Sequence, residues 1–138
     1  MSVQQTDIAA LVDAAAAARA RAYAPYSRFP VGAAALAESG RVFPGCNLEN
    51  AAYPATVCAE RVAIFSAYAA GERRITALAV IADTAGPVSP CGTCRQVIAE
   101  LAPGCTVILA STRGDLQIAS PEELLPGAFT GASLPPSM

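Results

Sequence analysis

The apolar positions along the chain change period several times, and each change marks an element. Residues 6–23, TDIAALVDAAAAARARAY, have strong helix propensity, with Thr6 or Asp7 as the expected cap. APYSRFP then breaks the helix. VGAAALAESGRVFPGCNLEN predicts two strands joined through Glu38-Ser39-Gly40, a β-hairpin. A second helix is expected from about Val57 to Ala70, with Gly71 as its stop. ITALAVIAD, Ile75 to Asp83, is a near-continuous apolar run of strand length, the pattern of a central strand covered on both faces. SPCGTCRQVIAEL opens a short helix, with Pro90 where helices tolerate proline best. CTVILAS and LQIAS read as two further strands. Only TRGD separates them, too little for a crossover helix, so they are expected to be antiparallel neighbours.

Two strands, a helix, a strand, a helix and two strands, with helices at either end, imply a sheet of about five strands covered on both faces. The fold class is therefore α/β, a three-layer α/β/α sandwich on a mixed sheet. No repeat or linker interrupts the chain. Residues 1–138 read as a single domain with a tail, about 131–138, expected to fray.

Composition narrows the chemistry. Hydrophobic residues make up 54% of the chain and charged ones only 14%, a balance that suits burial of apolar surface between subunits. A net charge of −2, with scattered arginines, argues against a nucleic-acid partner. The chain has no His, Lys or Trp. That excludes a Ser-His-Asp triad, a lysine Schiff base and a P-loop lysine, and leaves carboxylates, cysteines and tyrosines as general bases. With no leader-like N-terminus and no apolar run fit to span a bilayer, a cytoplasmic location without membrane contact is expected. Five cysteines in a reducing compartment suggest metal or catalysis in place of disulfides.

The cysteines carry the sharpest signal. Cys91 and Cys94 share one face at a helix start, where the helix dipole favours thiolates. That pair alone is ambiguous between redox and metal chemistry. Cys58 also begins a helix, so two helix N-termini would deliver three thiolates to one point. Three thiolates and one open position match a catalytic zinc site. Glu60, two residues beyond Cys58, can reach a water at the open position and act as the base. Three thiolates on Zn²⁺ leave one net negative charge, which Arg61 would offset. Cys46 and Cys105 read as core thiols, although Cys46 as a fourth ligand would close the site. Glu60 could also merely favour the helix dipole, and Asn47 and Glu49 could cap a turn.

CAE followed by PCGTC is the zinc deaminase signature in its three-cysteine form. With YSRFPVGAAAL, GCNLENAAYP, CAERVAIF, PCGTCRQV and LLPGAF in order, the chain resembles the small homotetrameric cytidine deaminases over roughly residues 20–130. The resemblance implies a cytidine deaminase-like fold, with one zinc per subunit on Cys58, Cys91 and Cys94 and Glu60 as proton shuttle. It further implies that Asn47 and Glu49 bind the ribose hydroxyls, Phe29 packs near the pyrimidine and the Ala59 backbone contacts the base. Phe129 would help close a neighbouring subunit's pocket in a homotetramer. The implied reaction is hydrolysis of free cytidine and deoxycytidine to uridine and deoxyuridine with release of ammonia, in pyrimidine salvage. Two rivals stand beside it. One is a deaminase of the same architecture acting on blasticidin S or a polynucleotide, against which NLEN and the acidic balance speak. The other is a non-enzymatic zinc-stabilised interaction protein, which would have no use for Glu60.

Overall fold

The computed structural model describes residues 3–136. Helix α1 (Gln5–Arg19) precedes the strands β1 (Val31–Ala37) and β2 (Val42–Cys46). A 3₁₀ turn at Tyr53–Ala55 leads into α2 (Ala59–Ala69) and β3 (Ile75–Ala82). Then come α3 (Gly92–Leu101), β4 (Thr106–Ser111), β5 (Leu116–Ala119) and a single turn, α4 (Pro121–Leu124). The strands form one sheet in the order β2-β1-β3-β4-β5. β1 is antiparallel to both neighbours, β3 and β4 run parallel with α3 as their crossover, and β5 returns antiparallel to β4. The mixed five-stranded sheet and the antiparallel final pair are those expected.

Alternation along the strands divides the core into two layers. Ala33, Leu78, Val80, Val107 and Leu109 face α2 and α3, where Ile64 and Ile98 are fully buried. Ala34, Ala79, Ile81 and Ile108 face α1 through Leu11 and Ala15. Both faces of β3 are thus covered, which is why Ile75–Ala82 shows almost no polar alternation. Small residues set the spacing of the layers. A Cβ on Gly32 would lie 2.0 Å from the Ala15 carbonyl oxygen on α1, and one on Gly45 would lie 2.5 Å from that of Ala59 on α2.

Several boundaries differ from the sequence expectation. α1 stops at Arg19 instead of 23, because the chain beyond it is used in long-range contacts. Arg19 Nε donates to the Pro30 carbonyl (3.1 Å), and Tyr23 makes a bridge with Leu48. The α1 N-cap is Gln4, with no side-chain bond, in place of Thr6 or Asp7. Val57 is not helical but pairs with Leu48, so α2 begins two residues later, at Ala59, with Cys58 as N-cap. Pro90 precedes the N-cap of α3, Cys91, and lies outside the helix. Gly71 does end α2, at a φ of 96° that an L side chain rarely adopts. In the tail, Gly131–Ser133 form a 3₁₀ turn closed by reciprocal bonds between Thr130 and Ser133, and these residues are exposed.

Candidate metal centre and active site

Two helix starts meet at one end of the sheet. Cys58 and Cys91 are the N-caps of α2 and α3, and Cys94 lies in the first turn of α3. The three sulfurs all lie within 4.8 Å of one another, the one such group of three or more Cys, Asp or Glu ligand atoms among the described residues. Cys46 is not part of it, so the fourth-ligand alternative finds no support here. A tetrahedral zinc with Zn–S bonds of about 2.3 Å holds neighbouring sulfurs about 3.8 Å apart. Cys58 Sγ and Cys91 Sγ are 3.7 Å apart. The donor set therefore fits zinc in both chemistry and spacing, and three ligands leave a tetrahedral ion one further position.

Positive potential is built around the sulfurs. Arg61 Nη2 donates to Cys58 Sγ (3.6 Å), and the Cys94 amide donates to Cys91 Sγ (3.5 Å), as expected where free N–H groups of a helix start converge. Arg61 Nε is buried without a hydrogen-bond partner. The adjoining Cys94 thiol, which keeps the shared proton, and then Arg61 bring the Cys58 thiol down to about 5, against burial. Cys94 is raised for the complementary reason.

Glu60 is only 4% exposed, in the same first turn of α2 as Arg61. Burial pushes its carboxyl up to about 7; the Cys58 thiolate adds to the rise, and Arg61 and the Cys94 thiol oppose it. A buried carboxyl of this kind beside three sulfurs that could hold a metal can exchange protons near neutrality.

A cleft of about 270 Å³ opens onto this cluster. Phe29, Asn47, Glu49, Ala59 and Glu60 line it together with Cys58 and Cys91, although they come from three separate stretches of chain. Cys94 and Arg61 lie behind that lining. Asn47 is 8% exposed, and its side chain is engaged by the main chain: Nδ2 donates to the Phe29 carbonyl (2.9 Å) and Oδ1 accepts from the Val31 amide (2.8 Å). One Nδ2 hydrogen and one Oδ1 lone pair remain for a ligand. Glu49 Oε1 accepts from the amides of Tyr26 (2.9 Å) and Ser27 (3.1 Å), and Oε2 accepts from the Ser27 hydroxyl. These bonds, Ser27 Oγ foremost, hold the carboxyl below its usual range. Phe129 is not in the cleft of its own chain. It is 61% exposed, and its carbonyl accepts from Gln96 Nε2 (2.6 Å).

Three contributors were missed in the sequence. Ser27 and Ser89 line the cleft, and Arg95 organises the loop before Cys91. Its guanidinium donates to the Pro90 carbonyl (2.9 Å), Ser89 Oγ (2.6 Å) and the Leu124 carbonyl (2.6 Å). The one available signal was position, since Arg95 directly follows Cys94.

A zinc-fitting thiolate cluster with a buried carboxylate beside it, at the floor of a cleft, is the equipment of a metal-dependent hydrolase. Similarity narrows the class. The family model described as the cytidine and deoxycytidylate deaminase zinc-binding region matches residues 5–110, and the chain belongs to that family. It is 54% identical to a cytidine deaminase of Sporosarcina psychrophila over 129 residues, 93% of this chain and 95% of that one. It is also 54% identical to one from Halalkalibacterium halodurans over 125 residues, 90% and 95% of the two chains. The fold superposes on the crystal structure of a cytidine deaminase from Burkholderia pseudomallei with a TM-score of 0.86 and 51% identity, covering 92% of this chain and 100% of that one. The cytidine deaminase of Mycobacterium tuberculosis gives 0.78 at 40% identity, over 89% and 97% of the two chains.

Proposed function

We propose that this chain catalyses hydrolytic deamination of free cytidine and deoxycytidine to uridine and deoxyuridine, with release of ammonia. The observation that carries the reading is the meeting of Cys58, Cys91 and Cys94 with buried Glu60 at the floor of one cleft, in a member of this deaminase family. Cys58, Cys91 and Cys94 would hold the zinc. When bound, zinc supplies Lewis acidity that brings the pKa of water toward neutrality. Glu60 would take a proton from the attacking water and deliver it to N3 of the pyrimidine, while the water oxygen bonds to C4. Glu60, a carboxylate again, would then take the remaining proton of that oxygen and pass it to the amino group, so that the C4–N bond breaks, the C4 carbonyl forms and ammonia leaves. The buried setting of Glu60 keeps its carboxyl out of bulk water for both transfers.

Phe29 packs beside the pyrimidine, the Ala59 main chain contacts the base, and the free hydrogen-bonding capacity of Asn47 and Glu49 takes the ribose hydroxyls. Arg61 offsets the negative charge of three thiolates, which the bond to Cys58 Sγ supports. The working form is a homotetramer in which Phe129 completes a neighbour's pocket. Exposed Tyr26, Phe29, Leu48 and Tyr53 around the cleft, and Phe129 away from it, support that assembly. Five free cysteines are in keeping with the reducing cytoplasm and a role in pyrimidine salvage.

The test offers zinc-loaded protein cytidine, deoxycytidine, CMP, blasticidin S and single-stranded DNA, and measures ammonia release. The two nucleosides are the expected substrates. Turnover of blasticidin S or DNA without turnover of the nucleosides would refute the reading.

A further inference from the structure

The loop between α1 and β1 contains an arrangement that the chemistry of the zinc cluster does not require. Arg28 has a φ of 56°, the only positive φ at a non-glycine residue among the described residues. Such a conformation is unfavourable for a long side chain and persists only where surrounding bonds over-determine it. Those bonds converge on its two neighbours. On one side, the amides of Tyr26 and Ser27 and the Ser27 hydroxyl all donate to the Glu49 carboxylate. On the other, the Phe29 carbonyl accepts from Asn47 Nδ2, and the Phe29 amide donates back to Ser27 Oγ (3.1 Å). The 47–49 segment is itself pinned, since the Glu49 amide donates to the Tyr23 carbonyl (2.8 Å) and the Tyr23 amide to the Asn47 carbonyl (3.0 Å).

Ser27 is the one side chain that touches both ends of this arrangement. A serine hydroxyl has one hydrogen to give and two lone pairs to offer. Here the hydrogen goes to Glu49 and one lone pair takes the Phe29 amide, so a single orientation of Oγ serves both. Of the roughly four acceptor sites on the Glu49 carboxylate, three are filled by the turn, which leaves about one, aimed from the cleft wall. We propose that Ser27 is a positioning residue for substrate: it orients the Glu49 carboxylate so that its remaining acceptor site meets a sugar hydroxyl, and it ties that orientation to the placement of Phe29 at the base. The proposal rests on the nucleoside deaminase reading above.

Loss of the hydroxyl removes the bond to Oε2 and leaves the Phe29 amide without its acceptor, while the two main-chain bonds to Oε1 can persist. Steady-state kinetics of zinc-loaded wild type, Ser27→Ala and Ser27→Thr are compared on cytidine and on 2′,3′-dideoxycytidine, which offers neither ring hydroxyl. For Ser27→Ala, kcat/KM on cytidine is expected to fall about tenfold, chiefly through KM, as for loss of one bond to a charged group. On the dideoxy substrate the change stays within about threefold, because no hydroxyl reads Glu49. Ser27→Thr, which keeps the hydroxyl, recovers most of the loss. An equal loss on both substrates, a loss in kcat with KM unchanged, or no loss at all overturns the proposal. If the wild type does not turn over cytidine, the failure belongs to the deaminase reading. The placement of Glu49 is then read directly from its carboxyl titration by NMR in the free protein. Ser27→Ala is expected to raise that titration, and an unmoved one overturns the proposal on its own.

Discussion

Replacing Gly45 with alanine tests how the metal centre is held in place. Gly45 lies on β2, against the start of α2, the helix that carries Glu60 in its first turn and Cys58 as its cap. A Cβ at this position would be 2.5 Å from the Ala59 carbonyl oxygen and 2.5 Å from the Ala63 amide nitrogen. Both are main-chain atoms, so no side-chain rotation relieves the overlap. Strand and helix must separate by about 1 Å to restore ordinary contact in a close-packed interior. Overpacking of this kind costs about 1–3 kcal/mol. The functional effect is larger, because Cys91 and Cys94 belong to α3 and do not move with α2. A misplacement of about 1 Å between reacting groups is worth about 100-fold in rate. Urea denaturation gives the first quantity, and kcat for uridine formation at saturating cytidine gives the second. Gly86→Ala is the control, since a Cβ there meets nothing within 4 Å. Its stability should differ from wild type by no more than about 0.5 kcal/mol in the destabilising direction. A Gly45→Ala protein as stable and as active as wild type would refute the argument that this close approach seats the catalytic turn.

Other substitutions separate the parts of the centre. Cys91→Ser should lose zinc on dialysis, measured as metal per chain, and full retention would count against Cys91 as a ligand. Arg95→Met removes two hydrogen bonds to the loop ahead of Cys91 and one to the Leu124 carbonyl, without touching a sulfur. Zinc affinity, measured by competition with a chromogenic chelator, should fall by about 10- to 100-fold, and an unchanged affinity would show that the loop keeps its shape unaided.

What could be read from the sequence, and what could not, follows from the range of the interactions. The four residues between β4 and β5 decide the direction of that pair locally, and the alternation-free β3 announces a central strand. The cysteines were legible because two helix starts fix where their side chains point. The exit of α1 was not, because residues up to 23 favour helix by propensity while Tyr23 is claimed by Asn47 and Glu49, far along the chain. Pro90 shows the same limit, since its place outside α3 depends on Arg95 reaching back to its carbonyl. The cleft wall was visible through Asn47 and Glu49, yet the Ser27 and Phe29 bonds that engage them are contacts no local pattern encodes. Phe129 was legible as a residue of interest, but within one chain it reaches no part of the cleft.

The central claim is that Glu60 moves protons beside a metal held by cysteines alone. Glu60→Gln keeps the size of the side chain and removes its ability to carry a proton. Zinc content and uridine formation from cytidine, measured on the same sample, test the claim together. The account predicts wild-type zinc per chain with turnover reduced by at least about 100-fold, the scale of a lost general acid–base group. A zinc-loaded Glu60→Gln protein that forms uridine at near the wild-type rate would contradict it.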